Sequence, residues 1–238
     1  MDADLVLATD PDADRLGVRV KDARTGEYHT LTGNMSGCLL EEYELSQRKA
    51  AEGSLPDDGA VISTIVTTNM AGTIARAYGL RFIEVLTGFK YIGQQILNFE
   101  HSKRGTYLFG FEESYGCLIG THARDKDAVV TALLICEMAD YFKKQGKTLI
   151  DVLAELSKEY GYCLDKLSSY TFAGKKGLAK IADIMAALRV KDVQEILPDI
   201  GEIRDYAKGI DGLPAENCIE IHLEGSFMDS GPPIGNGT

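Results

Sequence analysis

Three carboxylates stand at alternate positions of one short segment, Asp10-Pro11-Asp12-Ala13-Asp14-Arg15. On a tight loop such charges repel one another, and a bound dication removes that penalty. Mg²⁺ suits the set, because it prefers an octahedral shell of hard oxygens and often takes a phosphate oxygen among them. The plain alternative is an acidic, solvated turn. The spacing, the strand-like flanks and the adjoining Arg15 favour the metal. An EF-hand opening is excluded, because its sixth and twelfth positions need Gly and Glu, and here they hold Arg15 and Lys21.

Three further segments carry candidate chemistry. Leu86-Thr87-Gly88-Phe89-Lys90-Tyr91 lies between a strand-like and a helix-like stretch. Gly88 lets backbone approach a ligand, and a helix start favours anions, although an ordinary turn reads the same way. Gly110-Phe111-Glu112-Glu113-Ser114-Tyr115-Gly116 puts two carboxylates and a hydroxyl at a strand end. That group suits hydrogen bonding to sugar hydroxyls, with Glu113 open to a structural role instead. His122-Ala123-Arg124-Asp125-Lys126-Asp127 opens a long apolar helix. Its His122, Arg124 and Lys126 can hold a phosphate or carry protons. Alternatively, Asp125 and Asp127 cap the helix while Arg124 and Lys126 pair with them.

The elements that must position these residues follow from periodicity. Asp4 to Ala8 is a strand-like run, and Arg15 to Lys21 alternates with Leu16, Val18 and Val20 on one face. A Gly33-Asn34 turn precedes a helix over Cys38 to Ala51, and the Gly53 to Gly59 stretch reads as a linker. Strands are expected over Ala60 to Val66, Arg81 to Leu86 and Tyr107 to Phe111. Helices are expected over Met70 to Tyr78, Tyr91 to Phe99 and Asp127 to Lys144, and from the capping box at Thr148 and Asp151 as far as Gly161. This alternation predicts an α/β layered domain with helices on both sheet faces. A third unit begins near Cys163 with a strand, followed by a helix over Lys176 to Arg189 and strands over Glu202 to Tyr206 and Asn217 to Leu223.

Taken together and in order, the four segments resemble the α-D-phosphohexomutase superfamily, which includes the phosphoglucomutases and phosphomannomutases. The family's metal loop reads Asp-Gly-Asp-Ala-Asp-Arg, with Pro11 here in place of Gly. Its sugar loop contains Glu-x-Ser, matched by Glu112 and Ser114. The Thr87-Gly88 turn and the Arg124 to Asp127 run match the phosphoglucomutase branch. The resemblance implies an α/β chain with a complete three-layer domain over 54–162. A partial α/β unit over 1–53 precedes it as the end of domain two, and a partial α+β unit over 163–238 follows as part of domain four. It implies a Mg²⁺-dependent enzyme that interconverts hexose 1-phosphate and hexose 6-phosphate through a phosphoserine and glucose 1,6-bisphosphate. Asp10, Asp12 and Asp14 would hold the metal, and Arg15 would face the seryl phosphate. Thr87, Gly88, Glu112 and Ser114 would bind the sugar. Lys126 would carry a proton or contact a hydroxyl, with His122 and Arg124 near the ligand.

Two departures stand out. No Thr-Ala-Ser-His-Asn-Pro-like nucleophile loop occurs in the 238 residues, so the chain by itself is expected to lack mutase turnover. The family's closing Arg-x-Ser-Gly-Thr-Glu phosphate loop is also missing. In its place stands a tail rich in Gly and Pro, from Ser226 to Thr238, expected to be loosely packed. Read one base out of frame with permitted codons, Pro233 to Gly237 becomes Arg-Ser-Gly-Thr-Glu, and Phe227 to Asp229 becomes Ser-Trp-Ile. The chain as written has no Trp.

Other readings weigh less. A phosphopentomutase shares these loops. A metal- and sugar-phosphate-binding module without catalysis describes the chain as it stands. A haloacid-dehalogenase-type phosphatase needs Asp-x-Asp-x-Thr/Val, and Asp14 or Leu16 occupies the last position. With 36 acidic and 25 basic residues the net charge is −11, which argues against general nucleic-acid binding. No apolar run approaches the roughly 20 residues of a membrane helix, and no leader pattern opens the chain. Cys38, Cys117, Cys136, Cys163 and Cys218 read as reduced, buried thiols, which points to the cytoplasm. The sequence sets no oligomeric state.

Overall fold

The computed structural model describes residues 3–190 and 200–223. Contacts divide the chain into two compact units, Met1–Asp165 and Lys166–Thr238.

The first unit opens with an antiparallel sheet of β1 (Leu5–Thr9), β2 (Leu16–Lys21) and β3 (Tyr28–Thr30), in that spatial order. Alternation in β2 sends Leu16, Val18 and Val20 into the core while Arg19 stays exposed. The three-residue β3 was not expected; it is too short to show a period. Helix α1 (Gly33–Glu52) starts earlier than the sequence reading held, and Gly33-Asn34 is its first turn rather than a turn before it. The reason is a cap: Thr32 Oγ1 accepts the Met35 amide at 3.2 Å. The helix ends at Gly53 in the left-handed region, φ 81°.

A mixed sheet forms the centre of this unit. Strand order is β5 (Arg81–Val85), β4 (Gly59–Thr64), β6 (Thr106–Glu112), β7 (Gly116–Ile119). β4 runs parallel to both β5 and β6, and β7 is antiparallel to β6. All six residues of β4 are buried, as a central strand covered on both faces requires. β7 was also missed, because its four residues, Gly116–Ile119, are too few to show a period. Helices α2 (Asn69–Ala77), α3 (Phe89–Ser102), α4 (Ala128–Lys143) and α5 (Leu149–Tyr160) complete the unit.

Two apolar clusters show the layering. Ile92 and Ile96 of α3 pack with Ile62, Val85 and Leu118. Leu39, Leu40 and Leu45 of α1 pack with Ala71, Ile135, Val152, Phe109 and Phe111. α1 therefore shares the core of the central sheet, even though the linker at Gly53 had suggested a boundary after it. Gly37 makes this approach possible, since a Cβ there would lie 2.1 Å from the Phe111 ring. The capping box of α5 is present in both directions, as expected.

In the second unit α6 (Gly174–Val190) precedes an antiparallel hairpin of β8 (Ile200–Asp205) and β9 (Ile219–Leu223). Arg189 Nε pairs with Asp205 Oδ2 at 3.0 Å. The strand expected near Cys163 is absent: residues 161–173 pair with no described strand, and Leu164, Leu167 and Tyr170 are exposed. The tail after Leu223 lies outside the described residues. Of the five thiols, all free, Cys38 and Cys117 are buried. Cys136 is exposed on α4, against the expectation that all were buried. No described helix is long and apolar enough to cross a membrane.

One core group is out of keeping with its surroundings. Glu41 of α1 is completely buried, and neither carboxylate oxygen has a hydrogen-bond partner. Burial, with Glu42 nearby, pushes its pKa well above the usual carboxylate range. A group raised in the folded state adds stability below its unfolded pKa and loses it as pH rises through the folded value. Glu41→Gln should therefore gain on the wild type in urea midpoint as pH rises from 5 to 9. A constant difference between the two across that range would contradict the assignment.

Candidate active site

The acidic loop joins β1 to β2 and folds back on itself. Asp10 Oδ1 accepts the amides of Asp14 at 3.2 Å and Arg15 at 3.3 Å, and Ala13 adopts φ 56° to close the turn. Arg15 Nη1 lies 3.9 Å from Asp10 Oδ2, half in solvent. Partial burial works against ionisation of Asp10, but the loop amides and Arg15 hold its carboxyl below the usual range. Asp12 is exposed. Asp14 is divided: its Oδ2 faces Lys126, while its Oδ1 is buried without a partner.

Backbone bonds bring the sugar-type loop and the start of α4 to this turn. Leu16 N donates to Tyr115 O at 3.1 Å, and Arg15 bridges Gly116 in antiparallel fashion. Ala128 N donates to Ala13 O at 3.1 Å, and Asp127 N to Cys117 O at 2.9 Å. Tyr115 sits at φ 70°, turning the chain sharply between β6 and β7.

Lys126 joins the side chains. Its ammonium lies 3.1 Å from Asp14 Oδ2, 3.0 Å from Asp125 Oδ1 and 3.9 Å from Glu112 Oε1. It also faces the Phe89 ring at 5.6 Å. Burial disfavours its charge, but Asp125 and Asp14 outweigh that and hold its pKa above the ordinary lysine value. Glu112 is buried and accepts Ser114 Oγ at 2.9 Å. Burial raises the Glu112 pKa, with the Ser114 bond and Lys126 opposing. One ammonium thus contacts the acidic loop and lies beside Glu112 and the Phe89 ring at the start of α3.

The other candidates are placed more loosely. Thr87 is exposed and Gly88 takes φ 116° at the N-cap of α3. His122 Nε2 lies 2.9 Å from Asp127 Oδ2, and Asp127 Oδ1 caps α4 through the Val129 and Val130 amides at 2.9 and 3.0 Å. Arg124 turns away to Glu100 of α3. The capping role weighed for Asp127 is present, and Lys126 does pair with Asp125. Arg124 does not follow that pattern.

One contributor was given no role from sequence, and a second, Glu113, takes the structural role left open for it. Phe89 borders Lys126, and its position beside Thr87-Gly88 was the available signal. Glu113 Oε2 accepts Thr64 Oγ1 at 3.2 Å and Thr67 Oγ1 at 3.5 Å, which ties the loop to the end of β4. Long-range ties of this kind leave no local pattern.

The donor set suits a hard cation: three carboxylates on one loop, one with a buried oxygen lacking any partner. The carboxylates do not converge, however. Among the described residues no three His, Cys, Asp or Glu side chains form a metal-ligand group. A bound ion would require the loop to rearrange.

Layers and topology together define an α/β/α domain. The family model for phosphoglucomutase/phosphomannomutase, alpha/beta/alpha domain III, matches residues 32–160. The chain belongs to that family. It is 35% identical over 240 residues to the phosphoglucomutase of Staphylococcus epidermidis, covering 96% of this chain and 42% of that protein. To the phosphoglucomutase of Staphylococcus aureus it is 40% identical over 205 residues, 86% of this chain and 36% of that one. The crystal structure of pp63/parafusin from Paramecium, a phosphoglucomutase in its open form, shares the fold. Its TM-score is 0.57 at 17% identity, over 92% of this chain and 34% of that chain. The chain thus spans less than half the length of these relatives.

The contact between α1 and the loop tests the geometry. A Cβ on Gly33 would lie 2.1 Å from Glu113 O and 2.7 Å from Tyr115 N. Gly33→Ala should cost about 1–3 kcal/mol of unfolding free energy, measured by urea titration. A change below about 0.5 kcal/mol would show that α1 does not support the loop.

Proposed function

We propose that the chain carries the metal loop and the sugar-binding face of a phosphohexomutase, an enzyme that moves phosphate between the 1 and 6 positions of a hexose. The observation that carries this reading is the Lys126 ammonium, within 3.1 Å of Asp14 and 3.9 Å of Glu112. It brings a cation-type loop against a sugar-type loop, as a phosphoryl transfer on a sugar requires. The parent reaction would run through a phosphoserine outside these motifs, which phosphorylates the sugar phosphate to glucose 1,6-bisphosphate. Domain three, expected over 54–162, would then begin near residue 32, because the family match starts there and α1 shares the central core, with the end of domain two before it and 163–238 beginning domain four.

In this reading Glu112 and Ser114, already hydrogen bonded to each other, accept and donate to vicinal sugar hydroxyls. Gly88 leaves the start of α3 without a side-chain cap, and that helix start with Thr87 would contact the sugar. Arg15, half in solvent, faces the phosphoryl group. Lys126 holds a proton at Nζ beside Glu112 and His122 flanks the ligand, whereas Arg124 would have to leave Glu100 to reach it. Asp10, Asp12 and Asp14 would hold Mg²⁺, which when bound neutralises charge on the transferred phosphoryl group.

Calorimetry with glucose 1,6-bisphosphate tests the sugar face. The chain should bind it, and Glu112→Gln with Ser114→Ala should weaken binding by about tenfold or more. Equal affinity in that variant would remove the sugar assignment. The 238-residue chain alone should read background in a coupled assay from glucose 1-phosphate to glucose 6-phosphate. Turnover above background, abolished by Lys126→Met, would show that a nucleophile has been overlooked.

A further inference from the structure

The acidic loop already carries a cation. Lys126 Nζ rests 3.1 Å from Asp14 Oδ2, while Asp14 Oδ1 is buried and unpartnered. The lysine has little freedom to leave: its side chain is 9% exposed. It passes Gly116 so closely that any Cβ there would lie 2.1 Å from its Cδ. Asp125 at 3.0 Å and the Phe89 ring at 5.6 Å hold its ammonium from other sides. One acceptor stands just out of hydrogen-bond reach, Glu112 Oε1 at 3.9 Å.

We propose that Lys126 and a divalent cation are antagonists at Asp14, so that cation binding at the acidic loop loosens the Lys126–Asp14 contact and turns the ammonium toward Glu112. This rests on the cation reading of Asp10, Asp12 and Asp14 given above. Two positive charges sharing one carboxylate repel, and the repulsion is stronger where water is largely excluded. The coupling is reciprocal: whatever the ammonium takes from the cation's affinity, the cation takes from the ammonium's hold on Asp14. Occupancy of the metal loop is thereby linked to the charge beside the sugar-type carboxylate. A cation site without this linkage would use Lys126 only to orient Asp14, with Oδ1 left pointing at the ion. Removing the lysine would then weaken binding rather than strengthen it. The two cases differ in sign.

Calorimetric titration of MgCl₂ into the full 238-residue chain separates them. Lys126→Met keeps the length of the side chain and removes its charge; it should bind Mg²⁺ at least about fivefold tighter than the wild type, whereas Lys126→Arg should not. Unchanged or weaker binding in Lys126→Met, with measurable wild-type binding, overturns the antagonism and leaves the metal loop standing. No Mg²⁺ binding by either protein overturns both. A second readout needs no variant: the ¹⁵N-ammonium resonance of Lys126 should shift with Mg²⁺ and stay fixed in NaCl of equal ionic strength. A resonance that does not move at saturating Mg²⁺ also overturns the proposal.

Discussion

The rest of the site depends on one contact, the Lys126 ammonium against Asp14. Charges from an acidic loop, a sheet turn and a helix start are brought together where solvent is scarce. Without the lysine, Asp14 and Glu112 would face each other as like charges in a partly dry space. Without Asp14, the lysine would be left with Asp125 at 3.0 Å and the more distant Glu112 at 3.9 Å. Half-buried pairs of this sort give little net stability, but losing one partner strands the other. The contact therefore fixes geometry more than it adds free energy.

The fold exists to deliver those charges. Parallel pairing of β4 with β5 and β6 ends both β5 and β6 at the same sheet edge, where Thr87-Gly88 and Glu112-Ser114 emerge. The antiparallel return of β7 then places the start of α4, with Lys126, over that edge. β2 adds the acidic loop by bonding to Tyr115. Close approach is bought with small residues at two points: Gly33 clears the Glu113 carbonyl, and Gly116 clears the lysine stem.

Much of this was legible in the sequence. The alternation of Leu16, Val18 and Val20, the Thr148-Asp151 box and the β-branched run of β4 are local signals, read from a few neighbouring side chains. The acidic loop and the Glu-x-Ser motif stood out by residue type alone. What stayed hidden is tertiary. The pairing of Lys126 with Asp14 rather than only with Asp125, the turning of Arg124 to Glu100, and the tie from Glu113 to Thr64 each join distant segments. The strand expected near Cys163 failed for the same reason in reverse, since a β-branched or aromatic run becomes a strand only beside a partner. The first turn of α1 was misplaced because Gly33 and Asn34 read as turn formers, while the Thr32 cap and the crowding at Glu113 set the helix start instead.

The central claim is that Lys126 and Asp14 act as a unit in the folded chain. A double-mutant cycle measures this directly, with Lys126→Met, Asp14→Asn and the double variant compared by urea unfolding. The account predicts a coupling of about 1 kcal/mol or more, the double variant losing less than the sum of the singles. Additive losses would show that the two groups are near each other without interacting, and the convergence of the loops would then need another cause.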